Sequence, residues 1–204
     1  MPIEKIVSGG QTGVDRATLD VAIELGIPHG GWVPAGRLAE DGIMPECYNV
    51  LETPSSDPAQ RTEWNVRDAD ATLIISNGRL IGGSQLTLEM AKKYEKHYLH
   101  IDLSVVTETE AINQIKDWLN SVDCKVLNVA GPRNSEDLEI YQNAKIILSN
   151  SLVTMFQHSS LYTGVGDPSF RQGCRNPASR DGKPNATKIY HDTQVRKTAS
   201  RQVN

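Results

Sequence analysis

Short apolar runs alternate with longer amphipathic stretches through the first three quarters of the chain. Residues 3–7 and 71–76 are apolar enough to be buried strands, and 98–103 and 126–130 read the same way. Shorter strands are predicted at 31–33 and 49–53. Between them, 14–26 carries Val14, Ala17, Leu19, Val21, Ala22 and Leu25 at helical spacing, with Gly26 closing the helix. Helices are also predicted at 60–67, 86–95, 108–122 and 137–156, and a long loop at 34–45. Strands that alternate with helices require crossover connections, hence a mostly parallel sheet covered on both faces. The expected fold is an α/β, Rossmann-like three-layer sandwich.

The alternation stops near residue 158. Residues 158–204 carry eight Lys/Arg against three Asp, a net of +5, which leaves −9 on 1–157 in a chain of 204 residues and net charge −4. A single binding domain is expected over 1–157, followed by a basic, Gly/Pro/Ser-containing tail without regular structure. The acidic body argues against nucleic-acid binding there and leaves it conceivable only for the tail. No stretch approaches the roughly 20 apolar residues of a membrane span, and Met1–Lys5 has no secretory character, so a cytoplasmic location is expected. Cys47, Cys124 and Cys174 lie far apart with no CxxC and read as reduced thiols; the five histidines lack zinc spacing, so no intrinsic metal site is expected.

Two glycine-rich turns carry the candidate chemistry. Ser8-Gly9-Gly10-Gln11-Thr12-Gly13 follows the first strand, and Gly82-Gly83-Ser84-Gln85 follows the strand at 71–76. Each stands where a strand ends and a helix begins, a place where backbone N–H groups and the helix dipole favour an anion. Neither is GxGxxG or a Walker A loop. Asp15 and Arg16 in the first helical turn can orient a ligand or each other. Ser84 is the expected N-cap of its helix, with Thr87 and Glu89 behind it. The loop at 34–45 offers Arg37 as a bidentate phosphate clamp and follows Trp32, which suits either stacking or the core. Arg133, after Gly131-Pro132, is placed to close over the same crevice. Against each reading stands a plainer one: a tight turn without ligand, a solvated glutamate, a surface arginine.

Taken in order, Ser8–Arg16, the run from Gly31-Trp32 to Asp41-Gly42, the segment from Asn65 to Ile74, Gly82-Gly83-Ser84-Gln85-Leu86-Thr87, and Leu127-Asn128-Val129-Ala130-Gly131-Pro132-Arg133 resemble the molybdenum-cofactor carrier family over roughly residues 3–157. That family is part of a Rossmannoid superfamily of nucleotide-ligand binders. Cytokinin-activating phosphoribohydrolases, once called lysine decarboxylases, and DNA-processing protein A are in it too. The resemblance implies an open parallel sheet, a homo-oligomer, and a phosphorylated ligand, molybdopterin cofactor or a nucleotide, held by the two turns. Ser8, Gly9, Gly10, Gln11, Thr12, Gly13, Asp15, Arg16, Arg37, Gly82, Gly83, Ser84, Thr87 and Arg133 would then bind it. The phosphoribohydrolase relatives imply an alternative, cleavage of the N-glycosidic bond of a nucleoside monophosphate, with Glu89 and Arg61 as catalytic groups. This chain departs from their glycine turn, with Gln85 and Leu86 where a glycine and a threonine are expected. No nucleophile elbow is present, and a carrier needs none.

Overall fold

The computed structural model describes residues 3–156. The tail at 158–204 and the expectations placed on it lie outside them. Nine strands and five helices follow in chain order among the described residues. They are β1 (Lys5–Val7), α1 (Val14–Glu24), β2 (His29–Gly30), β3 (Trp32–Val33), β4 (Leu38–Ala39), β5 (Gly42–Ile43), β6 (Leu51–Glu52), α2 (Pro58–Asp68), β7 (Ala71–Ser76), α3 (Gly82–Lys93), β8 (His97–Asp102), α4 (Glu108–Ser121), β9 (Val126–Ala130) and α5 (Ile140–Phe156).

Five strands form one sheet in the order β2-β1-β9-β7-β8, and every neighbouring pair is parallel. Helices α1, α4 and α5 pack together over one face, and α2 packs with α3 over the other. The layered α/β architecture is the one the alternation predicts. Strand β7, buried at all six positions, runs through the core, where Leu73, Ile75, Leu127 and Val129 meet Val14, Ile115, Ile140 and Leu148 from the helices. Helix starts follow local chemistry. Thr107 and Glu110 form a reciprocal capping box on α4, and Asp57 caps α2 with Pro58 in its first turn.

Four local expectations differ from the structure. The predicted loop at 34–45 contains an antiparallel ribbon, β4–β5, too short to leave a periodic signal. The strand expected at 31–33 is shorter, β3 alone, and β2 before it was not expected; Gly31 between them, with a φ of +124°, turns the chain so that β2 joins the main sheet while β3 pairs with β6. A Cβ at Gly31 would lie 2.2 Å from the Ser8 carbonyl oxygen, so glycine is required there. Helix α3 begins at Gly82, four residues early, because Ile81 supplies its N-cap backbone. Ser84 is thus inside the first turn, not the cap. The expectation of three reduced thiols is also corrected: Cys124 is a free, buried thiol, but Cys47 is disulfide-bonded, and spacing carries no record of which thiols meet.

Parallel pairing has one consequence for function. The carboxyl ends of β1, β9 and β7 lie at the same rim, so both glycine turns and the Gly131–Arg133 segment open on one side of the sheet. Connections from β1 and β7 leave in opposite directions, toward β2 and β8, and the crevice at such a reversal is where open α/β sheets take ligands.

Candidate functional site

A cleft of about 290 Å³ lies at this rim. Its walls come from the first turn (Gln11), the start of α2 (Asp57, Pro58, Ala59, Arg61, Thr62), the start of α3 (Gly82, Gly83, Ser84, Leu86) and the segment after β9 (Gly131, Arg133, Glu136). That size is at the lower end for small-molecule sites.

The two helix N-termini at the cleft are unlike in chemistry. Asp57 Oδ1 accepts the Ala59 amide, the Gln60 amide bonds the Asp57 carbonyl, and Pro58 has no N–H, so α2 is closed by its own residues. Helix α3 has no side-chain cap. The amides of Ser84 and Gln85 bond the Ile81 carbonyl, whereas those of Gly82 and Gly83 have no acceptor among the described residues. Nothing lies within 4 Å of a Cβ built at Gly83, so the backbone is open to a close approach. Unpaired N–H groups at a positive helix end form an anion site without further donors.

The first turn has another job. A Cβ on Gly9 would sit 1.7 Å from Arg61 Nη1, one on Gly10 2.4 Å from Met44 Sδ, and one on Gly13 2.2 Å from the Pro132 carbonyl oxygen. These glycines admit protein neighbours. Ser8 Oγ donates to the Val129 carbonyl at 2.8 Å. Asp15, 2 % exposed, accepts the Gln11 amide and Arg61 Nη1, the latter at 3.1 Å. Burial pushes the Asp15 carboxyl above its ordinary range, with Arg61 pulling the other way. Arg16, also buried, pairs with Asp41, donates to the Gly10 carbonyl and lies over the Tyr48 ring. Thr12 donates to Glu40, whose carboxylate also accepts the Ser135 amide at 3.1 Å and the Ser135 hydroxyl at 2.6 Å. The Gln11 side-chain oxygen accepts the amides of Thr12 and Glu40. The β4–β5 ribbon thereby straps the first turn to the segment after β9, with Glu40 taking the Thr12 and Ser135 hydroxyls; the amides of Gly9, Gly10 and Gly13, like those of Gly82 and Gly83, have no acceptor among the described residues.

Of the residues singled out in the sequence, Gln11, Arg61, Gly82, Gly83, Ser84 and Arg133 line the cleft. Arg133 is shared with Glu136 at 3.1 Å and Glu40 at 4.0 Å. Ser8, Gly9, Gly10, Thr12, Gly13, Asp15 and Arg16 build the floor behind it. Four lie elsewhere. Arg37 donates to the carbonyls of Met44, Pro45, Tyr48 and Val50, which fixes its own loop in place of a phosphate. Thr87 donates back to the Gly83 carbonyl. Glu89 is exposed, bonded to Gln85 one turn earlier and absent from the cleft wall. Trp32 bonds Asp68 and meets Trp64 edge-on, 4.7 Å between ring centroids. The sequence reading missed the start of α2 and Glu136. Asp57-Pro58 is a legible helix-start signal that places this turn; Glu136 has no local signal at all.

Comparisons with known proteins follow the same segments. The model of the circularly permutated YpsA SLOG family matches residues 6–152. A crystal structure from Syntrophus aciditrophicus SB, named "Putative molybdenum carrier protein", is 54 % identical with a TM-score of 0.73; the match covers 74 % of this chain and 96 % of that one. No curated protein matches.

Proposed function

The chain belongs to the circularly permutated YpsA SLOG family, and we propose that it binds and carries a phosphorylated small molecule in the cleft between α2 and α3. One observation carries this reading: the uncapped start of α3, with Gly82 and Gly83 bare, shares a small cleft with Arg61 and Arg133. Two free amides and the remaining donors of two guanidinium groups, each already paired with a carboxylate, match the acceptor-rich geometry of a phosphoryl group. The candidates are molybdopterin cofactor, in line with the molybdenum in the name of the similar protein, and a mononucleotide. Molybdopterin fits the donors through its phosphate. No cluster of three or more His, Cys, Asp or Glu able to hold a metal occurs among the described residues, so molybdenum as cargo would depend on the pterin's own ligands. The same proposal takes residues 1–157 as the binding domain, self-associating and cytoplasmic.

N-glycosidic hydrolysis is the less favoured reading. Such a reaction needs a carboxylate free to act at the bound sugar; Glu89 does not line the cleft, and the two carboxylates that do are engaged, Asp57 with the Ala59 amide and Glu136 with Arg133.

Native mass spectrometry of freshly purified protein, with molybdenum analysis on the same sample, tests the proposal. We expect a bound mass equal to a pterin phosphate or a nucleotide, lost in Arg61→Ala. Protein that carries no such adduct, and that binds neither inorganic phosphate nor nucleoside monophosphates, removes it.

A further inference from the structure

We propose that Asp15 is a positioning residue for Arg61, and that Gly9 exists to seat the arginine's guanidinium, so that the first glycine turn serves the cleft through Arg61. This rests on the reading of the cleft as a phosphate site. Three observations from three elements meet at one group. Arg61 comes from α2 and lines the cleft with its side chain only 13 % exposed. Asp15 comes from α1; among the described residues it is the one hydrogen-bond partner of that guanidinium, at 3.1 Å, and its own side chain is 3 % exposed. Gly9 comes from the turn after β1 and leaves no room for a Cβ, which would overlap Arg61 Nη1 at 1.7 Å.

The energetics favour a device over an incidental contact. A buried carboxylate is costly unless paired. Here Asp15 Oδ1 has no hydrogen-bond partner among the described residues, and Oδ2 is held by Gln11 and Arg61. A long arginine side chain would otherwise lose rotamer freedom on meeting a ligand. Fixed beforehand by Asp15 and Gly9, it presents its remaining donors to an incoming anion already ordered. The seat therefore acts on ligand affinity, and its effect passes entirely through Arg61.

That last point makes the proposal testable. Nitrogen-15 NMR of arginine-labelled protein, with Arg61→Lys to assign the signal, reads whether the guanidinium rotates freely. We expect hindered rotation in the wild type, and free rotation in Asp15→Asn and Gly9→Ala. Titration with inorganic phosphate and with adenosine 5′-monophosphate should show Asp15→Asn about tenfold weaker than wild type. Arg61→Ala should lose more, and the double variant Asp15→Asn/Arg61→Ala should be no weaker than Arg61→Ala alone. The double variant also guards against misfolding, because it removes both charges together. Free rotation already in the wild type, or losses that simply add, overturns the proposal. Wild type that holds Arg61 rigidly through Asp15 yet binds neither probe leaves the seat standing and removes the phosphate reading instead.

Discussion

Single residues in this cleft act in pairs, and the pairs predict how pH enters. Arg61 is the charge that compensates buried Asp15. Without it, the carboxylate's native pKa, already raised by burial, rises further above its unfolded value. A carboxyl with a raised native pKa binds more protons folded than unfolded, so stability is lost as pH rises through that interval. Arg61→Ala should therefore melt lower than wild type by a margin that widens as pH rises above the ordinary carboxylate range, read by thermal unfolding. Glu40 has the opposite sign. Burial pushes it up, but hydrogen bonds from Ser135 and Thr12 outweigh burial and hold it below the usual carboxylate range. Its contribution is present above the unfolded value and lost as pH falls through the depressed native one. Glu40→Gln should lower the melting temperature at pH 7 by about 2–6 °C, and the gap should close below pH 4. None of these pairings was legible in the sequence. Asp15 and Arg16 stood out as charged residues behind a glycine turn, and Arg61 through the resemblance, but which charge faces ligand and which faces protein depends on neighbours 25 to 46 residues away.

Whole elements were far more legible than their ends. The apolar runs at 71–76 and 126–130 and the helical face at 14–26 carry enough periodicity to fix strand and helix, and parallel order follows from their alternation. Strands of two residues, such as β4 and β5, carry no period. Helix α3 begins before its apolar face does, because its first turn faces the cleft and not the core. Glycine is where element and site separate cleanly. Gly131 leaves β9 against β7, and a Cβ there would lie 2.2 Å from the Ile75 carbonyl oxygen. Gly131→Ala should lower the melting temperature by about 4–8 °C, from an overpacking cost of about 2 kcal/mol. Gly83 begins α3 beside open space. Gly83→Ala should leave the melting temperature unchanged or slightly higher, since alanine suits a helix better. It should still weaken binding of inorganic phosphate, because the new methyl stands where the anion approaches. If both variants melt alike, the distinction between a structural and a ligand-facing glycine fails.

At the scale of the molecule, the cleft belongs to no single element. Its walls come from four separated stretches of chain, joined only because β1, β9 and β7 end at one rim. The candidate cleft's place at the rim thus follows once parallel order is inferred, whereas its composition does not, for Glu136 and the start of α2 arrive by topology. A ligand held between such distant stretches must leave before the domain unfolds, so binding is linked to global stability and not to the fraying of one helix. At a concentration one hundred times its Kd, a phosphorylated ligand should stabilise the protein by about 2.7 kcal/mol. For a domain of this size that raises the melting temperature by about 5–10 °C. Adenosine 5′-monophosphate titrated against adenosine separates the contributions of phosphate and base in one series of melts. The phosphate reading requires the monophosphate to shift the transition and adenosine to leave it in place. It also requires Arg61→Ala and Arg133→Ala to shrink that shift while Arg37→Ala, whose guanidinium serves four carbonyls of its own loop, preserves it in whatever folded protein that variant yields. Equal shifts from both compounds would place the affinity in stacking and apolar contact, and the open amides of α3 would then have no part in it.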